Sequence, residues 1–472
     1  MTIDTGAAAF ERWLGSALTS DASDDAIWGY ADRAVTFGRM RRETARTREL
    51  LTAHGIGAGN TVAVQLLPSC TLLWTVLAAW SAGAQVLLMD PRLTPAETGR
   101  LLDLCEPQFH LAVDGPVPTL ASFREECEIV VLPRRSGRPA ETPHRLVQFS
   151  SGSTGLPKVI GRTGQSLLDE LDRFAALPEM PRGGDQVLLL SSMSYSFGLI
   201  GGVLHALRHG VTLHFSGSPQ PRDLLRLLAE RRIGAVFGVP VHFDLLSRVG
   251  RPGDLPALRL AVCGGEMLGA VVFERFERAF GVRIGQAYGM TEAGIIATDL
   301  AGRHAPPAVG LPVPGMQTRI AGGTLHVRLP EDPYLHADRT GRYEDGWLDT
   351  YDRCEAQPDS GVLEILGRSD STVVIGGLNV DLTEIESVLA RHPAVTEAVV
   401  VYGEAIESHV VAEPSLTKGE LLAWCRDQLS PHKVPKALHF VSKLPRTANG
   451  KAVRNRELLH ASRERERQAI IR

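Results

Sequence analysis

The sequence predicts an α/β protein. A large N-terminal domain of mostly parallel sheets wrapped by helices carries a small β-rich module, and a small α+β C-terminal domain follows. Three observations point there. The chain has 472 residues, whereas a single hydrophobic core stops growing at about 250–300, so at least two domains are expected. Short apolar runs alternate with helical patterns from about residue 35 to 300, the pattern of strands joined by crossover helices. Composition then changes twice: residues 300–366 are rich in Gly, Pro and Asp, and a compact α+β pattern begins near 371. The expected division is 1–366 for the N-terminal domain, 367–370 for the connection and 371–472 for the C-terminal domain.

Taken in order, the first informative stretch is 50–89, which contains no Asp, Glu, Lys or Arg. Residues 71–89 are long enough to suggest a membrane span. Gln65, Pro68 and Gln85 interrupt the run and no basic flank follows it. The reading is therefore a buried βαβ unit, with strand 62–67, a turn at Pro68-Ser69, helix 70–82 and strand 84–89, stopped by Asp90-Pro91. Further strands are expected at 145–149, 187–190, 211–215, 235–239, 258–262 and 283–286, with helices at 221–230 and 270–280. Short strand-like pieces at 324–328 and 362–366 make the β-rich module. Helix 381–390, strand 395–402 and helix 418–429 make the C-terminal domain.

Charge excludes several functions. The formal net charge is −4, which leaves no electrostatic footprint for nucleic acid or anionic lipid. Six cysteines lie far apart without a Cys-x-x-Cys pair, so neither a disulfide framework nor a zinc knuckle is expected. The N-terminus MTIDTGAAAFERW lacks the basic and apolar regions of a secretory signal. A reduced, cytoplasmic chain without a membrane span is the expectation.

Lysine usage is more telling. Only six of the 50 basic residues are lysines, so most basic positions use arginine. Lys158 and Lys451 nevertheless sit in loops of turn residues, SSGSTGLPK and PRTANGK. Lysine is a compact point charge on a flexible stem, suited to following a phosphate as its charge moves. The segment Ser150-Ser151-Gly152-Ser153-Thr154-Gly155-Leu156-Pro157-Lys158 follows a strand-like run and can wrap an oxyanion with N–H groups, hydroxyls and one cation. It is not a Walker A loop, since Pro157 precedes the lysine and Val159 follows it. Taken alone, it also reads as a glycine-rich turn.

The same nine residues resemble the phosphate loop of the adenylate-forming superfamily: acyl-CoA synthetases, adenylation domains and firefly-type luciferases. Four further segments match in order. Tyr288-Gly289-Met290-Thr291-Glu292 is similar to the aromatic-Gly-x-Thr-Glu motif, and Gly346-Trp347 with Asp352 to the ribose-binding motif. Gly367-Arg368-Ser369-Asp370, followed by Gly376-Gly377-Leu378-Asn379 and Glu384, resembles the hinge motif. Pro445-Arg446-Thr447-Ala448-Asn449-Gly450-Lys451 resembles the C-terminal catalytic loop. With the early segment 62–97, the likeness spans nearly the whole chain.

The resemblance implies a reaction in which ATP and a carboxylate give an acyl-adenylate and pyrophosphate, after which a nucleophile captures the acyl group. That chemistry demands electrostatic stabilisation and positioning more than acid–base catalysis. It implies that Ser151, Ser153, Thr154 and Lys158 hold the β- and γ-phosphates, with Gly152 and Gly155 also in the ATP site, that Thr291 meets the α-phosphate, and that Glu292 ligates Mg²⁺. Tyr288 and Gly289 would lie against adenine, Asp352 and Arg368 would hold the ribose, and Lys451 would reach the acid and the α-phosphate. Read without the resemblance, Asp352 and Arg368 form an ion pair and Lys451 is a solvated loop residue. Asp370 falls at the hinge position, which makes the C-terminal domain mobile between two orientations. Two departures stand out. Tyr351 replaces the glycine that usually precedes the ribose-binding Asp, losing that residue's freedom at positive φ. The segment 334–343 is a reduced version of the family's.

The resemblance also assigns the acyl pocket to Ser191, Ser194, Tyr195, Val262, Gly264, Ala287, Ile295 and Ile296. No carboxylate is among them, and an unpaired buried ammonium costs several kcal/mol. The expected substrate is an aryl, hydroxyaryl or apolar acid without an α-ammonium. Tyr195 is either a gate to the pantetheine tunnel or plain pocket wall. Cys263 reads as a small buried filler. The activity expected is an AMP-forming acid–thiol ligase using ATP and Mg²⁺, with coenzyme A or the phosphopantetheine of a free-standing carrier protein as acceptor. The first alternative is an amide synthetase of secondary metabolism, such as antibiotic biosynthesis, with an amine acceptor. The second is a non-catalytic acyl- or nucleotide-binding protein.

Overall fold

The computed structural model describes the chain except residues 1–4, 19–21, 94, 115–121, 151–157, 250–254, 336–340, 376–377, 430–432, 448–449 and 472. It divides into two compact units. The larger comprises Met1–Arg319, Val327–Leu348 and Ala356–Glu364; the other comprises Ile320–His326, Asp349–Glu355 and Ile365–Arg472.

The charge-free stretch folds as the buried βαβ unit expected of it. Strand Thr61–Gln65 pairs in parallel with Gln85–Leu88, and helix Cys70–Ser81 crosses between them. Ser69 caps that helix by accepting from the Leu72 N–H at 3.0 Å. Apart from Ser81, every residue of the helix is buried, which is why the run carries no charge. Among the described residues no helix is long and apolar enough to cross a membrane.

Two sheets organise the large unit. One has six strands in the order Val130–Pro133, Phe109–Ala112, Thr61–Gln65, Gln85–Leu88, His144–Ser150 and Lys158–Thr163, parallel in the middle and antiparallel at both edges. The other runs from Ile284–Met290 through Leu260–Gly264, Ala235–Gly238, Gln186–Leu189 and Thr212–His214 to Ile27–Tyr30, all parallel. Strands Gly294–Asp299 and Ala308–Pro312 add antiparallel pairs beyond Ile284–Met290. Helices Pro221–Glu230, Pro240–Arg248 and Ala270–Phe280 bury Leu224, Leu228, Phe243, Phe273 and Phe276 against this sheet. The expected strands and helices fall within a few residues of these bounds. Among the elements the sequence reading did not name, such as strand Gly294–Asp299 and helix Pro240–Arg248, Phe197–Leu204 is a π-helix, a conformation frequent at functional sites.

The C-terminal unit is built on a three-stranded sheet. Strand Val395–Tyr402 pairs antiparallel with Ile406–Ala412, which pairs in parallel with Ala437–Phe440. Helices Leu382–Ala390 and Lys418–Gln428 cover one face through Ile385, Leu389, Leu421 and Cys425, packed with Val400, Ile406 and Val410. On the other face Val399 and Val401 meet Leu444 and Leu459, the latter from helix Arg456–Ile471.

Candidate active site

In the large unit, the expected pocket residues gather where parallel strands end. Beyond strand Gln186–Leu189 the chain crosses its neighbour's end, with Leu190 and Ser191 N–H groups donating to the Phe237 carbonyl at 2.8 and 3.2 Å. It then meets the six-stranded sheet. Gln148 Nε2 donates to the Ser194 carbonyl at 3.1 Å, and Ser196 Oγ donates to Gln148 Oε1 at 2.7 Å. Tyr195 donates its hydroxyl to Asp90 Oδ2 at 2.8 Å, and Arg92 grips both oxygens of Asp90 at 3.0 and 2.7 Å. Burial, reinforced by the Asp90 carboxylate, holds the Tyr195 phenol protonated well above its usual range. The carboxyl ends of strands in an open α/β sheet are where such folds bind ligands.

Strand Leu260–Gly264 carries Val262 and Gly264. Alternation sends Cys263 into the helix-packed core, where burial pushes its thiol up and makes it inert, and turns Val262 and Gly264 to the opposite face. Gly264 lets the Phe197 ring approach closely: a Cβ would stand 3.0 Å from it. That ring stacks on Phe237 with centroids 5.7 Å apart and planes at 11°. Gly264 pairs with Ala287, and Ala287, Ile295 and Ile296 are buried. The hydroxyls of Ser191 and Ser194 are buried without a partner among the described residues.

Tyr288 and Gly289 close strand Ile284–Met290, with a bulge where pairing passes from Ala297 to Ile295. Thr291, Glu292 and Ala293 form the turn that follows. Glu292 is 6% exposed. Its Oε1 accepts the Tyr334 hydroxyl at 2.8 Å and has the Arg342 guanidinium at 3.6 Å. Burial and the Glu292 charge raise the Tyr334 phenol far above its usual range. Tyr334 in turn pairs with Ile160, and the Leu335 N–H donates to the Val159 carbonyl at 3.0 Å. The reduced segment 334–343 therefore links Glu292 to the strand that Lys158 begins. Lys158 is half-buried and faces Ser150 in register. Ser151, Gly152, Ser153, Thr154 and Gly155 lie outside the described residues.

The turn is held from behind by charges that sequence reasoning did not single out. Glu170 Oε1 accepts from the Ile295 N–H at 3.2 Å, and its Oε2 lies 2.9 Å from Arg162, with both side chains at most 3% exposed. Gly294, at φ +73°, leaves room for this carboxylate, since a Cβ would stand 2.2 Å from Glu170 Oε2.

In the C-terminal unit, Asp352 and Arg368 come together at 3.2 Å, the carboxylate side chain 12% exposed and the guanidinium 40%. Tyr351 is held in the left-handed region, at φ +60°. Its N–H donates to Asp349 Oδ1 at 2.8 Å and its carbonyl accepts from Ser369 Oγ at 3.0 Å. These bonds maintain a left-handed residue that costs roughly 1–2 kcal/mol without glycine. Asp370 lies in the single 3₁₀ turn Ser369–Ser371. Lys451 closes a loop in which the Thr447 N–H donates to the Lys451 carbonyl at 2.8 Å and Arg446 pairs with Ala452. Ala448, Asn449, Gly376 and Gly377 fall outside the described residues.

The family described as AMP-binding enzyme matches residues 17–331, and its C-terminal domain matches residues 384–451. A feruloyl-CoA synthase from Amycolatopsis sp is 28% identical over 471 residues, covering 89% of this chain and 93% of the relative. Among solved structures, an O-succinylbenzoate coenzyme A synthetase from Bacillus subtilis in complex with AMP aligns with a TM-score of 0.80 at 22% identity, covering 94% of this chain and 97% of the other. An amide bond synthetase from Marinactinospora thermotolerans aligns at 0.75 and 23% identity, covering 94% and 98%. At such identities the two structures establish the shared fold.

Proposed function

The chain belongs to the family of AMP-binding enzymes and is an AMP-forming ligase, and from that premise we propose that it activates an aryl or apolar carboxylic acid as the acyl-adenylate and hands it to a phosphopantetheine thiol. The observation that carries the reading is the turn of Thr291 and buried Glu292, which follows the strand whose Ala287 pairs with Gly264 beside the Phe197 ring.

The donor set suits a hard cation. Tyr334 and Arg342 both approach Oε1 of Glu292, and the carboxylate would ligate the ion together with phosphate and water oxygens. Mg²⁺ bound there with ATP would offset the charge of the departing pyrophosphate. Lys158 and the loop before it hold the terminal phosphates, Thr291 donates to the α-phosphate, and Tyr288 with Gly289 flanks adenine. Asp352 accepts from the ribose hydroxyls, oriented by Arg368. Lys451 neutralises the two anions that must meet, the acid and the α-phosphate. Because Lys451 sits in the C-terminal unit, the 367–370 connection serves as a hinge that brings it for adenylation and withdraws it for thioester formation.

Flat, apolar surfaces at Phe197, Gly264 and Ala287 favour a ring, and the hydroxyls of Ser191 and Ser194 favour a polar ring substituent. Asp90 meets this segment through Tyr195, but Arg92 and Tyr195 already claim its oxygens, so it offers no partner for an α-ammonium. Coenzyme A is the proposed acceptor, with a carrier-protein phosphopantetheine as the related option.

Product analysis by mass spectrometry tests this. Incubation with ATP, Mg²⁺, coenzyme A and a hydroxybenzoate or hydroxycinnamate is expected to give AMP and the acyl-CoA thioester. A thioester formed only on a holo-carrier protein would change the acceptor, and an amide formed only with an added amine would replace the thiol reading.

A further inference from the structure

Away from the adenylation machinery, the C-terminal unit gathers three imidazoles and a carboxylate. Glu407, His409, His439 and His460 each offer an atom, and these atoms all lie within 4.8 Å of one another. We propose that these four residues bind one Zn²⁺ ion, which fastens helix Arg456–Ile471 to the three-stranded sheet.

The geometry arises from three independent periodicities. Glu407 and His409 stand two apart in strand Ile406–Ala412 and therefore share a face. Ile406 and Val410 point the other way, into the core under helices Leu382–Ala390 and Lys418–Gln428. His439 is the direct register partner of His409 on the neighbouring parallel strand. Arg456, His460 and Arg463 follow the helical stripe that packs Leu459 onto this face. The three rings lie 4.9, 5.6 and 5.9 Å apart between centroids.

His409 supplies the observation that points to a ligand. Its side chain is fully buried, yet neither ring nitrogen has a hydrogen-bond partner among the described residues. A buried polar group without a partner is costly, and a metal ion would satisfy it. Glu407 is already arranged as a ligand. Arg456 donates twice to Oε1, at 2.9 and 2.7 Å, while Oε2 meets His460 Nε2 at 2.7 Å. Arg456 thus orients the carboxylate from outside, as the outer partners of metal ligands do.

Three nitrogens and one oxygen select a borderline cation over Mg²⁺ or Ca²⁺, which take oxygen ligands. A tetrahedral ion with bonds of about 2.0–2.1 Å needs ligand atoms about 3.3 Å apart, so the half-buried His439 and His460 rings must close inward. Arg463 now donates to His439 Nδ1; a cation binding there would take the place of that guanidinium. This gives the proposal a signature of opposite sign, because removing Arg463 strengthens binding while removing a histidine weakens it.

The test uses the full chain, stripped with a chelator and held in excess Mg²⁺ to fill the oxygen-ligand site. Titration with ZnCl₂ by calorimetry is expected to show one equivalent bound, and Co²⁺ is expected to give the visible absorption of a tetrahedral centre. His439→Ala and His460→Ala, at half-exposed positions, should each weaken Zn²⁺ by about 100-fold or more, with circular dichroism showing that the fold is kept. Arg463→Ala should tighten it. Absence of stoichiometric binding, or equal affinity in the His439→Ala/His460→Ala double variant, would overturn the proposal.

Discussion

Glu292 in the large unit and Glu407 in the C-terminal unit are both buried carboxylates with an arginine beside them, 6% exposed in each case. Their surroundings differ. Glu292 receives a phenol and a guanidinium on Oε1, and no imidazole is among these partners. Around Glu407 the arginine takes one oxygen and the other faces imidazoles of this same chain. The first arrangement suits a cation that arrives and leaves with a polyphosphate; the second suits one that stays. Hydrogen bonds from Arg456 and His460 overcome the burial penalty and hold Glu407 near a pKa of about 2.

The comparison can be broken most severely behind Glu292. Glu170→Ala strands Arg162 as an uncompensated buried charge and removes the acceptor for the Ile295 N–H. A loss of about 3–5 kcal/mol of stability is expected by denaturant unfolding, with activity falling alongside. Unchanged stability would show that the turn does not depend on this pair.

Lys451→Ala separates chemistry from support. Acid-dependent pyrophosphate release should drop by at least ~100-fold, the scale of removing one preorganised charge-stabilising group, while unfolding is unaltered. Full activity would remove Lys451 from the mechanism. Glu292→Gln keeps an acceptor for Tyr334 but discards the charge. A decrease on the order of 100-fold is expected, with a higher Mg²⁺ requirement; an unchanged Mg²⁺ dependence would deny Glu292 its metal.

Sequence order explains what was legible. The aromatic-Gly-x-Thr-Glu run and the loop ending at Lys451 are contiguous, so their chemistry shows in a few letters. The buried βαβ unit was legible for a similar reason, since complete burial of Cys70–Ser81 demands an unbroken run without charge. Glu170 and Arg162 looked like ordinary helix and strand charges because their partner, the Thr291–Gly294 turn, is more than a hundred residues away. The Glu407 cluster draws on two strands and a helix spread over 53 positions, with no spacing to announce it. Tyr288 and Gly289 form a bulged strand end, because pairing with Gly294–Asp299 extends through them.

Two smaller effects test each unit by itself. Burial lowers His205 and His214 to about 4, each within the large unit. In the unfolded chain they titrate near 6.5, so their contribution is complete above about 6.5 and is lost as pH falls toward 4. The unfolding midpoint of the large unit should decline across that window, and less so in His214→Gln. A flat profile would contradict the burial. Tyr351→Gly relieves the left-handed strain at φ +60° but adds freedom to the unfolded chain. A gain of less than about 1 kcal/mol in the C-terminal unit is expected, and a marked loss would show that the tyrosine ring itself supports the Asp352 loop.

The most direct test of the central claim is pyrophosphate release across aryl, aliphatic and α-amino acids, with and without coenzyme A, using Lys451→Ala as the blank. Release is expected to depend on an aryl or apolar acid, to be accelerated by coenzyme A and to fall by at least ~100-fold in the variant. Release driven only by α-amino acids, or equal in the variant, would contradict it.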